Sequence, residues 1–205
     1  MGGPGVQRSA QFVRYLREFG YEPIVYTTSE ASQKKTGCII DYTLLNNIPK
    51  ETKIIRTNTC QPIGLINFLN RIKLYRLFWC FFYPFFWERS AMWPFMNYFK
   101  ANKILKKNKI TLVYTSSAPF SSMLLGYFLK RKNKIKWVAD LRDPFTDAYA
   151  WSFPTKFHWK FSKIIEKWLI KKPDILIVNT PEVKKLYLKK YNIIESKIKV
   201  ITNGY

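Results

Sequence analysis

Acidic residues are scarce in this chain of 205 residues: 13 Asp and Glu stand against 35 Lys and Arg, a net charge of +22. So few carboxylates leave a field that draws anionic partners, whether a membrane surface, nucleic acid or a phosphorylated substrate. The basic residues are spread through Lys-, Asn- and Ile-rich sequence, so part of the excess follows from composition. Histidine is nearly missing too. The single His158 falls on an expected helix among aromatics and reads as structural. Cys38, Cys60 and Cys80 form no Cys-x-x-Cys pair and have no pair of histidines nearby. They read as reduced, buried thiols of a cytoplasmic protein rather than a metal or disulfide framework. Long apolar runs are absent as well. The most apolar stretch, Leu77 to Trp87, has 11 residues, with Arg71, Lys73 and Arg76 just upstream; about 20 are needed to cross a bilayer. Met1-Gly-Gly-Pro-Gly5 offers no apolar core of a signal peptide. What remains is a globular composition, 47% hydrophobic, long enough for one large domain or two small ones.

The chain is organised around Lys136-Trp-Val-Ala-Asp-Leu-Arg-Asp-Pro-Phe145. Ile135 to Ala139 reads as a short buried strand, followed at once by Asp140, Arg142 and Asp143, with Pro144 ending any ladder. In a parallel sheet, ligands gather beyond the carboxyl ends of the strands. The stretch therefore delivers two carboxylates and a guanidinium to that place. The alternative is an Arg142–Asp143 pair that braces a loop.

The rest of the chain supplies the sheet. Gly2-Gly-Pro-Gly5 leads into a helix from Val6 to Phe19, with Val6, Phe12, Val13, Leu16 and Phe19 as its apolar stripe and Gly20 as its stop. A glycine-rich turn at a helix N-terminus can cradle an anion on free backbone N–H groups. In a nucleotide-binding βαβ unit such a turn follows a strand, so the expectation is a chain lacking its first, central strand. Strands are expected over Tyr21–Thr27, Lys53–Thr57, Ile110–Thr115, Ile135–Ala139, Asp174–Asn179 and Lys197–Ile201. Helices are expected over Phe95–Asn108, Ser121–Lys132, Thr155–Lys171 and Pro181–Tyr191, with Pro119 suited to a helix's first position. In the helix over 155–171, Phe157, Phe161, Ile164, Ile165 and Trp168 share one face. Glu30 to Asn47 reads as polar and irregular. Alternation of strand and helix at this spacing specifies an α/β fold: a Rossmann-like parallel sheet with helices on both faces.

One region departs from that rhythm. Leu65 to Phe99 is crowded with Phe, Trp and Tyr, from Phe78 and Trp79 to Tyr98 and Phe99, interleaved with Arg71, Lys73, Arg76, Arg89 and Lys100. Segment 65–100 reads as an aromatic-rich helical insertion that contacts an anionic membrane surface; a core hairpin filled with aromatics is the plainer alternative. Nucleic acid is not the expected partner, because the aromatics are clustered without a regular basic stripe or a known module.

Taken together, Gly2-Gly-Pro-Gly-Val-Gln-Arg8, Glu22-Pro-Ile-Val-Tyr26, Tyr114-Thr-Ser-Ser-Ala-Pro-Phe120, Trp137 to Phe145, and Lys199-Val-Ile-Thr-Asn-Gly-Tyr205 resemble, in order and spacing, the N-terminal domain of family 4 glycosyltransferases of the GT-B fold. The likeness covers nearly the whole chain. It implies the acceptor-side half of a retaining, metal-independent transferase of hexosyltransferase type. Such an enzyme uses a nucleotide-sugar as donor substrate, with no further cofactor, and a glycan or lipid-linked acceptor at the cytoplasmic membrane face. By the same resemblance Gly2, Gly3 and Gly5, with Arg8, approach the donor diphosphate, and backbone amides there stabilise charge on the leaving group. Ser116, Ser117 and the Asp140/Arg142/Asp143 loop line the acceptor side. Asp140 or Asp143 orients the acceptor hydroxyl, and Arg142 holds a phosphate or fixes Asp143. Many relatives carry a histidine where this chain has Asp-Leu-Arg-Asp. Asn203-Gly204 is the turn expected to lead into a C-terminal donor-binding domain. The chain thus reads as an incomplete domain, inactive without that partner domain. Two other readings stay open: a basic, non-enzymatic membrane- or nucleic-acid-binding protein, and another nucleotide-sugar enzyme of the same fold such as an epimerase.

Overall fold

A computed structural model of the chain describes residues 4–35, 40, 42–59, 63–86, 90–147, 153 and 155–203. It divides into two compact units, the first running to Ile63 and the second comprising Gly64–Asn203. The described strands form two parallel sheets, one of two strands and one of four.

In the first unit, helix α1 (Pro4–Tyr15) continues into a tight 3₁₀ turn over Leu16–Phe19. Gly20 closes it at φ 79°, a left-handed conformation that glycine adopts without strain. The expected apolar stripe is only partly covered. Ala10 and Arg8 are buried, whereas Phe19 is 74% exposed. Strand β1 (Ile24–Thr28) pairs in parallel with β2 (Lys53–Thr57), whose bounds match the sequence reading. The connection expected to be irregular contains a short helix, α2 (Glu30–Lys35), and a 3₁₀ turn over Thr43–Asn47. Glu30 holds that helix by pairing with Lys34 one turn on, at 2.8 Å, and by accepting the Tyr42 hydroxyl. Both partners lie within the same polar stretch, where hydrophobic periodicity carries no signal.

The second unit opens with α3 (Ile63–Arg71), α4 (Tyr75–Phe86) and α5 (Trp93–Lys107). Then β3 (Leu112–Ser117), α6 (Ser122–Asn133), β4 (Lys136–Leu141), α7 (Lys156–Leu169), β5 (Ile175–Val178), α8 (Pro181–Tyr191) and β6 (Ile198–Val200) follow. The sheet order is β3-β4-β5-β6, all parallel, so consecutive strands are neighbours. Thr155 and Thr180 cap α7 and α8 through their side-chain oxygens, and Pro181 occupies the first turn of α8. Pro119, expected in the same role for α6, instead lies in the turn before it, and Ser121 is the N-cap.

The core of this unit gathers Trp137, Leu141, Leu169, Val178, Tyr187 and Met123, each under 2% exposed. Trp137 donates its Nε1–H to Thr115 Oγ1 at 2.9 Å, joining β4 to β3. Gly126 lets α6 approach this pair. A Cβ there would lie 2.4 Å from Trp137 Nε1 and 2.8 Å from Thr115 Cγ2.

Helix α7 buries only part of its hydrophobic stripe: Phe161 and Ile165 pack against the core, and the rest of the stripe faces out. Its buried residues are His158, Ser162, Glu166 and Leu169, while Phe157, Ile164 and Trp168 are 67%, 68% and 40% exposed. The polar face can be buried because it is satisfied. His158 Nε2 bonds the Cys80 carbonyl on α4 at 2.9 Å and Nδ1 faces Thr155 Oγ1 at 2.7 Å. A carbonyl only accepts, so the ring hydrogen sits on Nε2. Cys80 itself is a free thiol; Cys38 and Cys60 lie outside the described residues.

Gly126→Ala gains about 1 kcal/mol of helix propensity but drives a methyl into a fully buried indole, at a cost of about 1–3 kcal/mol. The contacts at 2.4–2.8 Å put the clash at the upper end of that range, and urea denaturation should show a net loss of up to about 2 kcal/mol.

Candidate functional site

Because the four strands run parallel, their carboxyl ends share one rim. In register, Ser116 stands opposite Asp140, Asp140 opposite Ile177 and Ile177 opposite Lys199. The residues that leave the sheet on this side are Ala118-Pro119 after β3, Arg142-Asp143 after β4, Asn179-Thr180 after β5, and Ile201 to Asn203 after β6. Ser116, Ser117, Arg142 and Asp143 are thereby gathered at one edge, as the sequence placed them. Asn203 is exposed, three residues past β6.

Two details differ from the sequence reading. The strand does not stop at Ala139 but runs to Leu141, so Asp140 lies inside β4 and is 0% exposed. Its carboxylate accepts the Tyr114 hydroxyl from β3, and its carbonyl accepts Ser117 Oγ at 3.2 Å. That local donor supply is what lets a carboxylate sit within the sheet. Of the two carboxylates, only Asp143 is exposed. The second difference concerns Arg142. Among the described residues no ion pair joins it to Asp143. Its Nε donates to the Ser117 carbonyl and a terminal nitrogen to the Ala118 carbonyl, both at 2.7 Å. Carbonyls left over at the end of a strand need donors, whereas an exposed carboxylate is served by water.

The two motifs are further joined by the Phe120 and Phe145 rings, stacked at 4.5 Å and 8° and both 2% exposed. Beside the stack lies a hollow of about 80 Å³, lined by Ser117, Ala118, Phe120, Asp143 and Phe145. Two polar atoms near this rim, Ser116 Oγ and Asn179 Oδ1, are buried without a hydrogen-bond partner. Each such atom costs about 1–3 kcal/mol, a cost that a ligand's hydroxyl or amide would relieve.

The loop after β4 is held from below by Glu166. Its carboxylate, 0% exposed, accepts the Phe145 N–H at 3.0 Å, the Tyr187 hydroxyl at 2.8 Å, the Tyr191 hydroxyl at 2.7 Å and the Thr146 hydroxyl. Burial, with the carboxylate adding to it, pushes both tyrosines well above their ordinary value. Lys190 reaches Thr146 Oγ1 at 3.4 Å and pairs with Asp147, closing the loop's far side.

Gly5 and Arg8 belong to the first unit, in the opening turns of α1. Arg8 is 8% exposed, with its guanidinium over the Phe12 ring at 5.6 Å. Gly2, Gly3 and Gly204 lie outside the described residues. Sequence reasoning missed Asn179 and Glu166. Asn179 could have been found, since it ends the apolar run Ile175–Val178 as Asp140 ends another. Glu166 carried no signal, being one acid in a basic helix.

Residues 5–205 match the family described as Glycosyltransferase Family 4. The chain belongs to glycosyltransferase family 4. The fold agrees: a crystal structure of a glycosyltransferase from Rickettsia africae ESF-5 superposes over 100% of this chain with a TM-score of 0.55 at 19% identity. The chain spans 41% of that protein's length. Comparison with curated proteins gave no match. The parallel Rossmann-like α/β architecture of this glycosyltransferase domain is therefore as the sequence motifs implied.

Glu166→Gln replaces one accepting oxygen with a donor that faces other donors, and should lower stability by about 2–4 kcal/mol in chemical denaturation. The tyrosines set an alkaline limit. Their folded pKa values lie above the unfolded value of about 10, so the unfolded chain releases protons first as pH rises. Stability should be level below pH ~10 and fall above it. Tyr187→Phe should flatten that fall in denaturation curves taken across the alkaline range.

Proposed function

We propose that this chain is the acceptor-binding half of a retaining glycosyltransferase that moves a sugar from a nucleotide-sugar to a glycan or lipid-linked acceptor at the cytoplasmic face of a membrane. The observation that carries the reading is the rim itself: an exposed carboxylate, Asp143, lines a small hollow with Ser117, Ala118, Phe120 and Phe145, and the same edge of the sheet carries two buried, unmatched polar atoms, Ser116 Oγ and Asn179 Oδ1. A sugar acceptor offers hydroxyls that match this set in kind.

In this reading Asp143 orients the attacking hydroxyl, and Ser116 and Asn179 receive or donate bonds to the ring's other hydroxyls. Asp140, held by Tyr114, acts from within the sheet by fixing the strand end from which Asp143 projects. Arg142 spends its donors on the Ser117 and Ala118 carbonyls, so it shapes the acceptor turn and leaves phosphate binding to other cations. Gly2, Gly3, Gly5 and Arg8 are assigned to the donor diphosphate, whose charge backbone amides can meet without a metal. The nucleotide-sugar itself requires the remainder of a longer enzyme, reached past Asn203 and Gly204. Family membership, more than the fold, favours transfer over epimerisation.

Binding of a polyprenyl-phosphate-linked saccharide, followed by saturation-transfer NMR, tests the acceptor assignment. Asp143→Asn and Asn179→Ala should each weaken it by about 10-fold or more, the loss of one hydrogen bond to a charged or buried group. Saccharide binding indifferent to both changes, alongside oligonucleotide binding that falls steeply with salt, would overturn the reading in favour of a nucleic-acid-binding protein.

A further inference from the structure

The apolar face that α7 turns outward is not isolated. Its Trp168 ring meets Tyr127 of α6 edge-on at 4.7 Å, and Tyr127 meets Phe128 at 5.6 Å. Phe128 meets Tyr98 of α5 at 6.0 Å, and Tyr98 meets Phe99 at 5.3 Å. Five rings thus cross three neighbouring helices without a break. The ends of the row are open, Phe99 being 79% and Trp168 40% exposed. Between α5 and α6 the row borders a groove of about 530 Å³, whose other walls include Phe95, Arg131 and Lys132.

The charge around this row is of one sign. No acidic residue occurs between Glu88 and Asp140, a span that contains all of α5 and α6. The one acid of α7, Glu166, is 0% exposed. Nearby Asp174 is engaged by Lys130 at 2.9 Å. Arg131, Lys132 and Lys100 are exposed, and Lys172 lies over the Trp168 ring at 5.7 Å.

We propose that the Phe99–Phe128–Trp168 row of α5, α6 and α7 is the surface by which this chain docks on an anionic phospholipid bilayer. Apolar rings at the acyl boundary and long cationic side chains among the phosphates are what an interfacial surface requires. Among the described residues no helix is long and apolar enough to cross a membrane, so contact is made from one side. A bilayer matches both properties of this face at once. A protein partner would have to supply a large apolar surface and a surplus of acids together. The inference rests on the membrane-facing part of the proposed function; it keeps the α5 end of the aromatic stretch that the sequence emphasised and continues the contact onto α6 and α7 rather than α4. Ile164 and Phe157 extend that face along α7.

Sedimentation with vesicles of phosphatidylcholine, with and without phosphatidylglycerol, provides the test. The chain should bind the anionic vesicles, bind phosphatidylcholine alone at least ~10-fold more weakly, and detach as salt rises. Arg131→Glu with Lys132→Glu, and Phe99→Ser with Trp168→Ser, should each reduce binding by ~10-fold or more with circular dichroism unchanged, the charge pair leaving melting unchanged as well. Phe81→Ser on α4, 72% exposed, should bind like the parent. Quenching of tryptophan fluorescence by brominated acyl chains should diminish in Trp168→Phe. If Phe81→Ser abolishes binding and the α5–α7 variants do not, this surface is wrong while membrane contact stands. If no variant and no parent binds any vesicle, both fail. If Phe99 and Trp168 instead govern self-association in size-exclusion chromatography, the row is a contact between copies and the bilayer proposal is overturned.

Discussion

The second unit depends on the way two strand ends are sewn together. Trp137 reaches Thr115, Tyr114 reaches Asp140, Arg142 reaches the Ser117 and Ala118 carbonyls, and Phe145 stacks on Phe120. Each contact joins β3, or the turn that follows it, to β4 or the loop that follows it. Asp140, Arg142 and the strand-end carbonyls are tolerated in the sheet's carboxyl rim because each is answered from the neighbouring strand or its turn. A buried carboxylate or a surplus carbonyl without that answer would cost more than the rim's packing returns. The arrangement leaves Asp143 as the carboxylate that faces outward, and in that sense the same bonds that stabilise the fold select the group available for chemistry.

Glu166 extends the seam to the helices. Four donors from one loop and one helix converge on a carboxylate of another helix, so the loop after β4, α7 and α8 are fixed to a common point. This explains why α7 turns part of its hydrophobic stripe outward. Its polar residues go inward because partners wait for them, and the apolar residues left outside merge with the rings of α5 and α6. A surface that looks wasteful in a soluble protein follows directly from a satisfied polar core.

Much of the site was legible before the structure. Strand-helix alternation set the parallel sheet, and a parallel sheet sets where its carboxyl ends lie. That logic put Ser116, Ser117, Arg142 and Asp143 on one edge. The reading went astray where one residue had two possible partners. Arg142 beside Asp143 in sequence suggested an ion pair, but two carbonyls on the next strand lay closer to its geometry. Asp140 after an apolar run suggested a strand end, yet the Tyr114 hydroxyl let the ladder continue past it. Hydrophobic spacing in residues 155–171 named a stripe that the fold divides, Phe161 and Ile165 packing on the core while Phe157, Ile164 and Trp168 face out, since periodicity identifies a face without saying how much of it is met.

Local chemistry along the chain, then, was enough to specify most of the regular elements and their parallel sense, because strand and helix periods and turn residues act over a few neighbours, while the likeness to glycosyltransferase family 4 lay in the order and spacing of several motifs. Which polar group pairs with which, which carboxylate stays dry, and which side of α7 meets solvent depended on groups far apart in sequence, such as Glu166 with Phe145 and Tyr187, or His158 with Cys80. Those choices are settled only when desolvation forces each buried donor and acceptor to find its partner in three dimensions.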